Sequence, residues 1–288
     1  MSIKPSLLAA AAVALGALVA YAQSRFDGVE IKTTQVSGNI YMLEGSGGNI
    51  GVSAGPDGLL MIDSQFAPLS EKIRAALGKL GGEDPKFLIN THVHGDHVGG
   101  NENFGRKAAI LAHANVRKRM TQADRPPAKT AIPVVTYKDG ISIHFNGEEV
   151  RVIHFPTGHT DGDSVIVFTK SKVVHMGDHF FSGRFPYIDI DSGGDVAGFI
   201  ENIDRALEMI GADTKIIPGH GPLSTRGDLK TFRGMLEETT ALIRKGAKDG
   251  KSLEQLQAAG LPDKWKSWGT GFIDTKRWIS IVHRSYSR

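Results

Sequence analysis

Asn90-Thr91-His92-Val93-His94-Gly95-Asp96-His97-Val98-Gly99-Gly100 packs three imidazoles and a carboxylate into the six positions 92–97. The short apolar run Lys86-Phe87-Leu88-Ile89-Asn90 leads into it, and glycines punctuate the residues from 95 to 100. That pattern predicts a buried strand ending in a loop. The end of such a strand is where α/β folds commonly place their sites. Imidazole and carboxylate are the donors that borderline cations such as zinc prefer. Side chains alternate along an extended chain, so His92 and His94 are expected to point the same way. Once the chain turns at Gly95, Asp96 and His97 can aim at a second point, and one stretch can serve two metal ions.

Upstream of this stretch the chain reads as strands and one helix. Asn39–Leu43 and Asn49–Ser53 flank the turn Glu44-Gly45-Ser46-Gly47-Gly48, a hairpin pattern. The turn is no dinucleotide cradle, because Ile50 stands where the third glycine of G-x-G-x-x-G belongs. Gly58–Asp63 is a buried strand ending in a carboxylate. Ser70 is the expected cap of a helix with Ile73, Ala76, Leu77 and Leu80 at helical spacing. Strand, helix and the strand before His92 make a βαβ-type unit.

Downstream, Ala108–Ala112 predicts a strand and His113–Met120 a helix, and the proline-rich stretch Asp124–Pro133 predicts a loop. Ile141–Phe145 and Val150–Phe155 alternate on either side of Asn146-Gly147, a hairpin turn signal. His144 and His154 in these strands are taken as packing or surface residues. Ser164–Phe168, Lys172–Met176 and Lys215–Ile217 are further strands. Asp195–Ile210 carries Phe199, Ile203, Ala206 and Ile210 on one helical face. Helices over about 227–245, 252–258 and 275–286 complete the chain, with Trp265, Trp268 and Trp278 as packing residues. The pattern alone gives a mixed α/β class.

Three more metal-type donors follow strands and sit beside glycine, which lets a backbone approach closely. They are His159 in Thr157-Gly158-His159-Thr160-Asp161-Gly162-Asp163, Asp178 in Met176-Gly177-Asp178, and His220 in Pro218-Gly219-His220-Gly221.

The succession H-x-H-x-D-H, G-H-T, G-D and P-G-H-G resembles the ligand series of the metallo-β-lactamase superfamily, over about Asp63 to Gly221. The resemblance implies a four-layer αββα sandwich with the metal site at the edge between two mixed sheets. It implies that His92, His94 and His159 bind one metal, that Asp96, His97 and His220 bind a second, and that Asp178 bridges them. Asp63 resembles the family's carboxylate that orients a ligand imidazole, and His179 is a weaker candidate beside Asp178. Two zinc ions are the implied cofactors, although the same nitrogen and oxygen donors also accept iron or manganese.

The implied activity is binuclear zinc-dependent hydrolysis, in which a metal-bound hydroxide attacks a carbonyl of an amide or ester, as in a β-lactamase. Asp96 would anchor the second metal and orient the nucleophile. The alternatives are a lactonase, a glyoxalase-II-like thioesterase or a phosphodiesterase, and an exported metal-binding protein without activity. A bridging Asp178 points away from the β-lactamase branches. The expected partner is a small-molecule substrate with a hydrolysable carbonyl, held by loops such as Ser64–Leu69, Pro126–Pro133 and Arg184–Gly194.

Composition narrows the setting. Hydrophobic residues at 40% and charged residues at 23% are ordinary for a globular protein. A net charge of +3 is too small to suggest a nucleic-acid partner. The chain has no cysteine, so thiolate ligands and disulfides are excluded. Lys4, the apolar run Leu7–Val19 and Ala20-Tyr21-Ala22 fit a signal peptide over 1–22, ahead of one hydrolase domain over 23–288. The expected location is the periplasm or outside the cell, with no stable membrane association after cleavage.

Overall fold

The computed structural model describes residues 25–287, so the segment read as a signal peptide lies outside the described residues. Two sheets form the centre of the molecule. The first runs in chain order: β1 (Lys32–Ser37), β2 (Ile40–Glu44), β3 (Ile50–Gly55), β4 (Gly58–Ile62), β5 (Phe87–Ile89), β6 (Ala109–His113) and β7 (Val135–Tyr137). The second contains β8 (Gly140–Phe145), β9 (Glu148–His154), β10 (Ser164–Phe168), β11 (Val173–His175), β12 (Lys215–Ile217) and β13 (Ser224–Thr225), also side by side in that order. Strands β4 to β7 pair in parallel, as do β11 and β12, while the remaining pairs are antiparallel.

The helices are α1 (Ser70–Gly78), α2 (Gly95–Val98), α3 (Asn101–Phe104), α4 (Ala114–Gln122), α5 (Val196–Met209), α6 (Arg226–Lys248), α7 (Leu253–Ala259) and α8 (Thr275–Tyr286). Period-two alternation sorts the strand residues into layers. Leu59 and Met61 of β4 join Ile73 and Leu77 of α1, whereas Leu60 and Ile62 join Val152, Ile166 and Phe168 across the gap between the sheets. On the far side, Val165, Val174 and Ile216 meet Phe199, Phe232 and Trp278 from α5, α6 and α8. The result is helix, sheet, sheet, helix, the expected αββα sandwich. Each fully buried Phe, Leu or Ile in these layers contributes about 1.5–3 kcal/mol by leaving water.

Several local expectations hold for the predicted reasons. Asn146 and Gly147 both have positive φ, 54° and 79°, which is the turn that joins β8 to β9. Strand β4, helix α1 and strand β5 form the parallel βαβ unit. Trp278 is fully buried, and Trp265 and Trp268 pack against its cluster.

Others are corrected. Ser70 does not cap α1: a 3-10 turn over Ala67–Leu69 runs straight into the helix, Leu69 occupies the cap position, and Ser70 Oγ accepts from Asn103 Nδ2 at 2.8 Å. The paired strand ends at Ile89, one residue short of the expected Asn90, while His94 keeps extended backbone angles and the chain turns at Gly95 into α2 as expected. Strands β1, β7 and β13 were not foreseen. The first has mostly exposed polar residues and the other two are only three and two residues long.

Candidate metal centre

Parallel pairing puts the C-terminal ends of β4, β5, β11 and β12 on shared edges of the two sheets, and the loops that leave these ends carry the donors. His92 and His94 follow β5, and Asp96 and His97 lie in α2. His159 follows β9, Asp178 lies in the 3-10 turn Gly177–His179 after β11, and His220 follows β12. The structure brings all seven together in two groups. His92, His94, His159 and Asp178 form one, and Asp96, His97 and His220 the other, with donor atoms in each lying within 4.8 Å of one another.

Asp178 stands between them. Its Oδ2 is 3.4 Å from His159 Nε2 and 3.7 Å from His92 Nε2, and its Oδ1 is 3.1 Å from His97 Nε2 and 3.3 Å from His220 Nε2. One oxygen therefore faces each group, the arrangement that the bridging expectation requires. Asp96 Oδ2 is 3.4 Å from His220 Nε2 and 3.7 Å from His97 Nε2.

Surrounding groups fix which imidazole nitrogen faces inward. His97 Nδ1 donates to Asp63 Oδ2 at 2.7 Å, and His159 Nδ1 donates to the Tyr187 carbonyl at 2.7 Å. Thr91 Oγ1 donates to Asp63 Oδ2 at 2.7 Å and so is an acceptor for His92 Nδ1 at 3.0 Å. His94 is turned the other way: Nε2 donates to Asp189 Oδ2 at 2.9 Å and Nδ1 faces inward. With the outer nitrogen protonated in each case, the inner one offers a lone pair, as metal ligation demands.

The donors fit a cation. His92 Nε2, His97 Nε2 and Asp178 Oδ1 are buried without a hydrogen-bond partner, although the last two lie 3.1 Å apart. His94 Nδ1 and His159 Nε2 face each other at 2.8 Å, so two lone pairs would repel unless a proton or a cation mediates. Buried polar atoms left in this state cost free energy, which a shared ion relieves.

The electrostatics agree. Burial, reinforced by His97, holds His92 well below the usual imidazole range, and burial pushes His159 down to about 4. Burial opposes charge on His220 as well, but Asp178 and Asp96 outweigh it and push His220 up to about 9. His97 is raised for the same reason by Asp178, Asp63 and Asp96, again against burial. Asp178 is itself buried, yet His220, His97, His92 and His159 hold it well below the carboxylate range. The second group thus draws positive charge inward, and in the protein alone that charge arrives as protons on His97 and His220.

Two glycines make room for this geometry. A Cβ on Gly48 would lie 2.1 Å from His97 Cε1, and one on Gly219 would lie 2.2 Å from Asp178 Oδ1. Asp63, at the end of β4, orients His97 as the resemblance implied, and it holds φ at +62° to do so. His179 is excluded from the centre: its Nε2 meets Asn202 Nδ2 at 3.1 Å and its ring stacks on Phe199, both on α5. His154 stacks on His113 at 3.7 Å and joins neither group.

A cavity of about 390 Å³ opens over the centre, and His94, Asp96, Asp178 and His220 form its base. Phe66, Arg184 and Tyr187 contribute from two of the loops expected to hold substrate. The third expectation fails, since no residue of Pro126–Pro133 lines the cavity. Phe272 and Ile273, just ahead of α8, take part instead, together with Arg25. Sequence reasoning also missed Thr91 and Asp189 as partners of ligand-type histidines. Thr91 sat inside the decisive stretch, but nothing in Tyr187-Ile188-Asp189 signals a reach of 95 residues back to His94.

Comparison with known proteins adds the lineage. The sequence profile of the metallo-β-lactamase superfamily matches residues 33–223, which include every donor of both groups. The chain belongs to the metallo-β-lactamase superfamily. It is 30% identical over 198 residues to a hydroxyacylglutathione hydrolase of Rhodospirillum rubrum, covering 67% of this chain and 68% of the relative. It is 26% identical over 172 residues to a Bos taurus protein named acyl-coenzyme A thioesterase MBLAC2, covering 52% of this chain and 60% of that one. Among solved structures, a metallo-β-lactamase from Pontibacter korlensis superposes with a TM-score of 0.62 at 17% identity, over 72% of this chain and 99% of that chain. This last likeness speaks for the fold alone. The relatives are named as hydrolases, and the expectation of a hydrolase-type enzyme stands.

Proposed function

We propose that this superfamily member is a binuclear metal-dependent hydrolase acting on a small ester or thioester, with His92, His94, His159 and Asp178 holding one ion and Asp96, His97, His220 and Asp178 the other. The observation that carries the reading is Asp178, which turns one carboxylate oxygen toward each group of histidines. Zinc is the proposed metal. When bound, it supplies Lewis acidity, lowering the pKa of a bound water to about 7 and polarising a carbonyl oxygen.

The chain's own residues do the rest. The Asp63–Thr91–His92 and Asp63–His97 contacts tie both groups to one buried carboxylate, so the two sets of donors are held in register. Asp96 reaches the cavity with a partly exposed carboxylate, where it can orient the attacking water and accept its proton. Aromatic walls restrict bulk water above the reacting carbonyl and strengthen the polar interactions beneath it.

Thioesters come ahead of β-lactams for two reasons. The relatives with curated names include a thioesterase, and Asp178 occupies the bridging position. Export is proposed on residues 1–22 by sequence alone. The test is a panel of acyl thioesters, lactones, carboxylic esters and a chromogenic cephalosporin, presented to zinc-loaded protein beginning at Gln23, with Asp96→Ala as the control. Turnover of at least one carbonyl substrate that falls by about 10²-fold or more in the control is the expected result. Full zinc loading with no turnover on the panel would favour the metal-binding protein without activity.

A further inference from the structure

Lys72 directs its ammonium at backbone alone. It stands on α1, and its Nζ donates to the carbonyls of Phe26, Asp27 and Val29 at 3.0, 2.7 and 2.7 Å, one acceptor for each of its three protons. Among the described residues it has no carboxylate partner, whereas Lys107, Lys172 and Lys245 each pair with one. The three carbonyls belong to a tight turn in which Val29 N donates to the Phe26 carbonyl at 3.1 Å. Arg25, Asp27, Gly28 and Glu30 are exposed, Phe26 is buried, and Val29 and Ile31 are partly buried beside it. These apolar side chains and Lys72 hold the turn on the body of the protein.

What the turn supports is one wall of the cavity. The rings of Phe26 and Phe66 meet with centroids 5.3 Å apart, and the Arg25 guanidinium lies over both at 5.2 and 5.8 Å. Phe66 in turn reaches the rim of the metal centre. A Cβ on Gly47 would lie 3.3 Å from Phe66 Cε2 and 2.9 Å from the Asp96 carbonyl oxygen. Arg25, Gly47, Phe66 and Asp96 line the cavity together, while Lys72 does not line it. Any influence of Lys72 on a bound molecule therefore passes through the turn to Phe66. Residues 25–29 also lie outside the family match at 33–223, so this support is separate from the shared framework.

We infer that Lys72 is a positioning residue for substrate selection: by holding the turn at 25–29 it sets Phe66 against an apolar acyl chain, so that the cavity prefers a medium-length alkyl acyl group to acetyl. The inference rests on the hydrolase reading for the word acyl, and on the contacts running from Lys72 to Phe66 for the selection. The metal centre supplies the general chemistry and the propped wall grades the chain length.

The probes are octanoate and acetate, the acids that hydrolysis of such substrates releases. Both present the same carboxylate to the metals, so the ratio of their affinities reports the apolar wall. Calorimetry with zinc-loaded protein beginning at Gln23 should find octanoate about 50-fold tighter, as for burying roughly three of its additional methylenes. In Lys72→Met, which keeps the stem and removes the ammonium, the ratio should fall about tenfold, with acetate affinity and zinc stoichiometry as in the wild type. Lys72→Arg should restore most of the ratio, because a guanidinium also donates to carbonyls. An octanoyl substrate should show KM raised about tenfold in Lys72→Met at an unchanged kcat. A ratio that stays the same in Lys72→Met, or a loss that strikes acetate equally, would overturn the inference. A ratio that collapses in Lys72→Met, in a protein that hydrolyses no ester or thioester, would leave the propped wall standing and remove the hydrolase reading.

Discussion

Replacing Asp63 by Asn tests whether the buried carboxylate sets the chemistry of the centre. Asp63 accepts three hydrogen bonds, from Thr91 N at 2.8 Å, Thr91 Oγ1 at 2.7 Å and His97 Nδ1 at 2.7 Å. Asn keeps the size, and its carbonyl oxygen retains the bond from Thr91 N. Its NH2 then faces His97 Nδ1, donor against donor. The cheapest relief is for His97 to move its proton to Nε2, which removes the lone pair that the second group needs. A charge-assisted hydrogen bond to a buried carboxylate contributes about 1.5–3 kcal/mol, so losing the His97 bond amounts to roughly a 10- to 100-fold loss of metal affinity. Mutations of such orienting partners elsewhere cost a similar factor of about 10–100. Competition with a chromophoric chelator measures both sites, and the weaker site in the variant should be the one containing His97. An Asp63→Asn protein that binds both ions with wild-type affinity would refute the reasoning.

Gly48→Ala inserts a methyl group 2.1 Å from His97 Cε1, so the imidazole must shift and one ion should be lost while the fold persists; metal stoichiometry with a circular-dichroism control decides it. Acid stability should depend on the stacked pair His113 and His154, because burial, with His154 adding to it, pushes His113 down to about 4 from an ordinary 6.5. A depressed histidine binds fewer protons folded than unfolded, so its contribution is complete above about pH 6.5 and is lost as pH falls toward about 4. His113 is covered but lies close to the surface, so the contribution, discounted for solvent screening, amounts to about 1 kcal/mol. His113→Phe should therefore flatten the fall of Tm between about pH 6.5 and 4, and an unchanged slope would count against it.

The donors of the centre were legible in sequence because each is a histidine or aspartate just after a strand, most of them beside glycine, and β5 and β11 are short apolar runs that announce themselves. His92, His94, Asp96 and His97 reach the two groups through one local turn, so their relation needed no tertiary information. Asp189 and Phe272 were illegible for the opposite reason. Asp189 meets His94 across 95 positions of sequence, and Phe272 reaches the cavity only because Thr275–Tyr286 packs beside Phe185 through Trp278. The Pro126–Pro133 loop misled, since prolines predict a loop without saying which end of the sheet it leaves. Ser70 misled in the same way: a serine ahead of an amphipathic run is a good cap unless a 3-10 turn already leads into the helix.

Zinc titration coupled to a turnover assay puts the binuclear hydrolase reading at most direct risk. Chelator-treated wild-type protein should hydrolyse none of the substrate found by the panel, and activity should climb as zinc is added and level off at two equivalents per chain. Full activity in protein shown by elemental analysis to hold no metal would contradict the central claim, whatever the affinities of the individual donors.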